Sequence, residues 1–407
     1  MSIFDSSKNK RSTLIKDRNI LQTTYIPDQL PHRESEISSI VEILTPALFK
    51  NKPSNILVTG KTGTGKTAVV NYIGKELKKE DPEERNCCFT YVNCEIVDNT
   101  YGILFNISNQ ITTDQNKIPF TGWSLDRVYD TMLSDIEKGN KIFIIVLDEI
   151  DRIFQKSGDD IFYFLTSMNE VLKNSKVSII GITNNTKFAE LLTSKIKSRL
   201  GEEKIIFPPY KAEQLQNILK KRAELAFEPG VLEEAVIPYC AALSAQDSGD
   251  ARRALDLLRV SAEVAERNGD AMITEAHVMS ARNQIEKDTV KEVIETLPAQ
   301  SKIVLKSIIE IHERKDTTVT TGYVYSVYKE MCNSLNVNAS KEKMVANIIS
   351  ELDMLGIIHA RVKSFGRNGR TREIELNISK DIIEFIKKDE LFEPLLKHKP
   401  VRQTKLL

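Results

Sequence analysis

The sequence predicts an α/β domain on a mostly parallel sheet, then a small all-helical domain, then a unit of three helices and a two-stranded ribbon. Three observations predict this. Short apolar runs at residues 56–59, 89–93, 142–147 and 177–183 alternate with helical segments across residues 21–208, the pattern of strands buried on both faces of a parallel sheet. The pair Pro208-Pro209 stops that pattern, because neither residue has a backbone N–H to donate and both restrict the chain. Only helical segments follow, at 212–227, 231–243 and 251–268, until a short linker at about 296–300.

Each element has a local reason. The run 56–59 (Ile-Leu-Val-Thr) is rich in β-branched residues and leads through a glycine-rich turn into a helix over 67–79,. Residues 142–147 are continuously apolar, as a strand covered on both faces requires,. The third unit reads as helices at 302–312, 321–335 and 340–355, followed by β-rich stretches at 357–362 and 372–378. Three helices and a ribbon make a winged helix. The expected division is a basic, mobile tail (1–20), an α/β base (21–208), a helical lid (209–295) and the winged helix (296–407), which suits a chain of 407 residues,.

Composition excludes several classes. With 41% apolar and 28% charged residues the chain is an ordinary globular protein,. No apolar run approaches the roughly 18 residues of a membrane span, and Ser6 to Arg11 lack the apolar core of a signal peptide, so the expected place is the cytoplasm. The five cysteines, at 87, 88, 94, 240 and 332, form no CxxC pair and have no histidine at metal spacing, so they read as simple thiols. Net charge is formally zero. Any nucleic-acid contact therefore has to come from local basic clusters.

The first such chemistry is a phosphate loop. Gly60-Lys61-Thr62-Gly63-Thr64-Gly65-Lys66-Thr67 matches GxxxxGK[ST] between a predicted strand and a predicted helix,. Its glycines let backbone N–H groups turn toward phosphate oxygens, and the helix N-terminus adds partial positive charge. Lys66 supplies a point charge for the β and γ oxygens, and Thr67 a hydroxyl for Mg²⁺. At the end of the 142–147 strand come Asp148, assigned to Mg²⁺ partly through water, and Glu149, assigned as the base that polarises the attacking water,. Asp151 reads as a neighbour contact. The 177–183 strand ends in Asn184-Asn185; Asn184, by its spacing after the acidic pair, is expected to hold the attacking water or the γ-phosphate. The cofactors implied are ATP or ADP with Mg²⁺.

The second is a basic end. Arg361, Lys363, Arg367, Arg370 and Arg372 fall in a stretch with no acidic residue from 359 to 372, and Gly366 and Gly369 make its tip thin enough for a minor groove or a phosphate backbone,. Ahead of it the helix expected from Ser340 presents Ser340, Lys341, Lys343 and Asn347, as a recognition helix in a major groove would,.

Together these residues resemble an AAA+ ATPase: phosphate loop, acidic pair, strand-ending asparagine and helical lid in order. Gly249-Asp250-Ala251-Arg252-Arg253-Ala254-Leu255 resembles the sensor 2 helix of that class, whose arginine contacts the γ-phosphate. The role goes to Arg252, although on charge alone Arg253 is as good. More narrowly, the chain resembles, from about 25 to 376, the archaeal replication-initiator family related to the largest subunit of the origin recognition complex and to cell division control protein six. Tyr25-Ile-Pro27 and Leu30-Pro-His-Arg33-Glu34 resemble its adenine-side segment. Phe207-Pro-Pro-Tyr210 and Arg222 resemble its lid contacts to nucleotide, and Gly356-Ile-Ile with Gly366-Arg367-Asn-Gly369-Arg370-Thr371 its wing. Where that family often shows an arginine this chain has Lys195, which leaves Arg199 as the candidate finger into a neighbour's site, since lysine lacks the arginine fork.

The resemblance implies a slow, switching ATPase that binds duplex origin DNA, helps to recruit the replicative MCM helicase, and works beside other copies or paralogues of itself, in the nucleoid and away from membranes. It also implies an extra DNA-facing helix within 99–140, a stretch that is not basic here and whose Trp123 reads as core. Two other readings share much of the pattern. A signalling ATPase autoinhibited by its winged helix normally continues into a repeat-rich sensor, whereas here the sequence stops about 30 residues past the wing,; a clamp-loader subunit would lack the basic wing.

Overall fold

The computed structural model describes residues 14–392 except 24, 26, 28, 113–116, 120, 315–317 and 365–369, and describes no side chain at 363, 364, 370 or 371. Contacts divide the chain into two compact units, Met1–Ser280 and Ala281–Leu407.

The first unit is organised by five parallel strands, β1 (Ile56–Gly60), β2 (Cys87–Asn93), β3 (Ile142–Asp148), β4 (Lys176–Thr183) and β5 (Glu203–Phe207), in the order β2-β3-β4-β1-β5. The central strands β1 and β3 are buried throughout, and β4 at all but its first residue. Helices cover both faces. On one, Ile56, Val58, Ile144, Val146 and Ile182 pack with Val69, Val70 and Ile73 of the helix Lys66–Glu80. On the other, Leu57, Ile145, Leu147 and Ile179 pack with the helices Thr100–Ile111, Leu125–Gly139 and Asp160–Val171. Each fully buried aliphatic side chain stabilises the fold by roughly 1.5–3 kcal/mol. β5 was not anticipated. It is an edge strand whose burial alternates, with Ile205 and Phe207 inside and Ile206 outside, and its apolar run is only the three residues 205–207, directly before Pro208.

After Pro208-Pro209 come the helices Ala212–Ala226, Val236–Asp247 and Ala251–Asn268. The middle one starts later than expected because Leu232 forms a bridge with Ile273 instead. The expected tail also ends sooner. Leu14, Ile15 and Leu21 are buried, Ile15 bridges to Phe227, and the Glu266 carboxylate accepts the backbone N–H groups of Leu14 and Ile15 and pairs with Arg18. Leu14, Ile15, Arg18, Ile20 and Tyr25 are thus tied to the lid, while 1–13 lie outside the described residues. All five cysteines are free and buried.

The unanticipated helix Glu275–Thr296 begins in the first unit and ends in the second, where the expected linker shrinks to Leu297 and Pro298 before the helix Ala299–Glu313. Thr321–Ser334, Glu342–Met354 and the antiparallel pair β6 (Ile358–Ser364) and β7 (Arg370–Leu376) complete a winged helix, to which Lys380–Lys387 adds a further helix. Among the described residues no helix is long and apolar enough to cross a membrane.

Candidate nucleotide site and nucleic-acid interface

Sheet topology assembles the first site. In the sheet β4 lies between β1 and β3, with Thr59 beside Thr183 and Leu147 beside Gly181. The phosphate loop after β1, Asn184 after β4 and the acidic pair at the end of β3 therefore emerge at one carboxyl edge, where open α/β sheets bind ligands.

Lys66 is 6% exposed and its Nζ donates to the carbonyls of Gly60 (2.8 Å) and Lys61 (2.7 Å) and to Asn184 Oδ1 (2.7 Å). Burial pushes this ammonium down to about 8, against the opposing pull of Glu149 and Asp148. The Asn184 amide nitrogen donates to both Glu149 oxygens, at 2.7 and 2.6 Å. Asn185 instead caps a local turn, accepting the Lys187 N–H. Burial is also the main reason the Glu149 carboxyl is raised above its ordinary value. Glu149 has a left-handed backbone, φ 56°, as it leaves the strand. Asp148 Oδ2 accepts the hydroxyls of Thr67 and Tyr91, each at 2.7 Å. Asp151 accepts the Thr183 hydroxyl at 2.8 Å, a neighbour contact as expected.

The lid closes over the loop. The Ala251 N–H, first in the helix Ala251–Asn268, donates to the Gly63 carbonyl at 3.1 Å. A Cβ on Gly63, where φ is 65°, would stand 1.6 Å from Asp250 Oδ1, and one on Gly65 would stand 2.8 Å from the Tyr210 hydroxyl. Only glycine permits this approach. Arg253 is paired with Asp247 at 3.3 Å, whereas the charge of Arg252 is among those acting on Lys66. Arg252 follows the capping Asp250 in that helix and has its backbone N–H bonded to the Asp250 carboxylate at 2.7 Å.

Lys61, Thr62 and Thr64 complete the loop, Thr64 closing it by a hydroxyl bond to the Lys61 carbonyl at 2.8 Å. The residues fit a magnesium-bound triphosphate. A buried ammonium with oxygen partners, two positive-φ glycines and a hydroxyl 2.7 Å from a carboxylate are the donor set that polyphosphate and a hard cation require,. Among the described residues no cluster of three or more His, Cys, Asp or Glu could hold a metal ion.

Three expected residues are placed elsewhere. Arg33 is almost wholly buried, its guanidinium donating to the Thr64 carbonyl, the Tyr210 hydroxyl, Glu36 and the Pro208 carbonyl, and stacking 3.9 Å from the Tyr210 ring. It braces the loop from beneath rather than facing a ligand. Arg222 donates to the carbonyls of Ile20 and Tyr25 (both 3.0 Å) and lies on the Tyr25 ring, so it holds the N-terminal strap. Arg199 is paired with Glu170 within the same chain, and its Nη1 is buried without a partner. Lys195 lies over the Tyr163 ring at 4.9 Å.

In the winged helix, Lys341, Lys343 and Asn347 are exposed on the recognition helix, whose other face buries Val345, Ile348, Ile349 and Leu352. Ser340 lies before that helix, half-buried, its N–H bonded to the Tyr328 hydroxyl at 2.8 Å. On the wing Arg361 is exposed but paired in register with Glu373, just beyond the acid-free stretch, so a carboxylate shares its face,. Arg372, expected to face DNA, instead donates to Ser350 Oγ at 2.6 Å and ties the wing to the helix Glu342–Met354. The side chains of Lys363 and Arg370, and all of Arg367, lie outside the described residues. The described part of the stretch 99–140 forms the helices Thr100–Ile111 and Leu125–Gly139, and Trp123 is half-buried against the core with Arg127 stacked on it at 3.9 Å.

Two residues of the site were not anticipated. Asp250 carries a helix-capping signature legible in sequence,, and Tyr91 is a tyrosine near a strand's carboxyl end whose partner comes from the next strand.

Comparison with known proteins agrees with this architecture. Residues 56–208 match the ATPase family associated with various cellular activities (AAA), 216–283 the Cdc6 AAA+ ATPase-type lid domain, and 292–386 the CDC6 C-terminal winged helix domain. The chain is 46% identical over 412 residues to the ORC1-type DNA replication protein of Thermococcus kodakarensis, covering 100% of this chain and 98% of that one. It is 47% identical to the ORC1-type DNA replication protein 1 of Methanosarcina acetivorans, covering 90% and 88%. Among solved structures, the Aeropyrum pernix ORC1 protein in complex with DNA is 43% identical with a TM-score of 0.80, covering 94% of this chain and 99% of that one. The chain belongs to the ORC1-type DNA replication proteins, AAA+ ATPases with a Cdc6-type lid and a C-terminal winged helix.

Proposed function

We propose that this protein is an ATP-switched initiator that holds duplex origin DNA and helps to recruit the replicative MCM helicase, beside other copies or paralogues on the same DNA. The observation that carries the reading is the direct seating of the lid on the phosphate loop, Ala251 N–H to Gly63 carbonyl at 3.1 Å. A nucleotide in the loop touches both domains, so its γ-phosphate can bias their closure.

In this reading Thr67 and Asp148 would hold a Mg²⁺ bound together with the nucleotide, which would neutralise phosphate charge. Lys66 turns from the Gly60 and Lys61 carbonyls to the phosphates. Asn184 holds the attacking water against Glu149, whose raised pKa suits a base,, and Arg252 covers the γ-phosphate. Hydrolysis then works as a timer. The DNA end uses Lys341, Lys343, Asn347, Arg361, Lys363, Arg367 and Arg370; the Aeropyrum pernix relative solved with DNA supports this. Arg199 reaches a neighbour's nucleotide only after leaving Glu170.

Glu149→Gln is the test of the switch. It should leave ATP affinity within about twofold and slow hydrolysis on the order of 10²–10⁴-fold, the usual contribution of a positioned base. Normal hydrolysis by that variant removes Glu149 from its role.

A further inference from the structure

We infer that Tyr91 is a positioning residue of the nucleotide site: it holds the Asp148 carboxylate in place for the cation that accompanies the triphosphate. The proposal rests on the nucleotide reading above and goes beyond it.

Three observations converge on Tyr91. Its hydroxyl donates to Asp148 Oδ2 at 2.7 Å, the oxygen that also accepts the Thr67 hydroxyl at 2.7 Å. The parallel register sets Tyr91 beside Val146 and Asn93 beside Asp148. Because side chains alternate along a strand, Tyr91 lies on the sheet face shared with Val146 and Asp148. Its ring packs there with the cluster that includes Val69 and Val70 of the phosphate-loop helix. Its backbone is fixed too. β2 is the edge strand, so Tyr91 has no strand neighbour on one side, and the Gln110 side chain takes that place, accepting its N–H at 3.2 Å and donating to its carbonyl at 3.0 Å. Cys94 N–H binds the Asp148 carbonyl at 2.8 Å, which locks the strand ends together.

A carboxylate at a strand end has a free χ1 and χ2, and a cation's affinity depends on how far that freedom is already restricted. When the Thr67 hydroxyl turns to a cation, Asp148 loses one of its two hydroxyl donors on Oδ2. Tyr91 is the one that remains. The Glu149 N–H holds Oδ1 at 2.9 Å, and a tyrosine on Oδ2 fixes the other end of the carboxylate without competing for the cation, since each oxygen then keeps a lone pair once the Thr67 hydroxyl has turned away. Partners of this kind change metal affinity about 10–100-fold when removed.

The test is nucleotide binding, read with a fluorescent ATP analogue in EDTA and across a Mg²⁺ titration. Tyr91→Phe keeps the ring and removes only the hydroxyl. It should bind as wild type in EDTA, with an unchanged unfolding transition, and should need about tenfold more Mg²⁺ for half of the Mg²⁺-dependent gain. In an Asp148→Asn background the same change should have no further effect, because the partner it positions is gone. An unshifted Mg²⁺ requirement overturns the proposal. So does an equal loss of binding in EDTA and in Mg²⁺, which marks a packing role. Lys66→Ala separates this from the underlying reading: if it binds nucleotide as wild type does, the site itself is wrongly placed, whereas loss of binding there with an unshifted Tyr91→Phe sinks only the role of Tyr91.

Discussion

Lys66 is held in the folded protein at an electrostatic cost, because burial lowers its pKa to about 8 from the model-compound 10.5. Between those values the unfolded chain binds more protons than the folded one, so stability of the nucleotide-free protein rises from this group as pH increases from 8 toward 10.5,. Phosphate binding needs the charged form. Triphosphate affinity should therefore fall above about pH 8, approaching tenfold per pH unit, in a fluorescence titration; a flat profile to pH 9.5 would remove Lys66 from phosphate contact. Arg33 makes a second prediction at this scale. Arg33→Ala strands the Glu36 carboxylate, paired at 2.8 Å, and should lower unfolding free energy by about 3 kcal/mol in urea denaturation. A change under 1 kcal/mol would mean that the brace beneath the loop is dispensable. Much of this site was legible in residue identity and spacing: the loop, the acidic pair and Asn184 lie together as their spacing implied. Arg33, Arg222 and Arg199 were legible only as arginines. Their partners, Tyr210, Tyr25 and Glu170, are distant in the chain or on another helix, and no local pattern encodes those pairings.

At the scale of elements, the wing and the recognition helix divide their work. Lys343 and Asn347 are one turn apart on the exposed face of the helix,. Arg361 points outward from β6, whereas Arg372 is spent on Ser350. Arg361→Ala should weaken duplex binding and lower the slope of log affinity against log salt by about 0.9 if it meets one phosphate. Arg372→Ala should instead reduce the thermal stability of the second unit first, with a smaller change in salt slope. Equal slopes for the two variants would contradict this division. The central strands were readable because both faces are buried and the runs are continuous. β5 was not, because an edge strand alternates and Glu203 and Lys204 disguise it. Likewise the N-terminal segment looked like a solvated tail because its charges, such as Arg18, find their partner Glu266 more than 200 residues later.

For the whole molecule, a nucleotide site whose lid touches its phosphate loop shares the chain with a winged helix that exposes Lys341, Lys343 and Arg361. Neither half specifies an initiator alone. A phosphate loop serves many enzymes, and a winged helix serves many DNA-binding and protein-binding proteins. Their combination, with family matches across base, lid and winged helix, narrows the reading to a switch on DNA. The most direct measurement is nuclease footprinting of the purified protein on intergenic DNA from the genome that encodes it, with MgATP and with MgADP. The account predicts protection of a discrete duplex segment that differs between the two nucleotides, with Glu149→Gln retaining the ATP pattern in MgATP and Lys66→Ala losing the difference. Identical wild-type footprints in MgATP and MgADP, or no discrete protection at all, would contradict it.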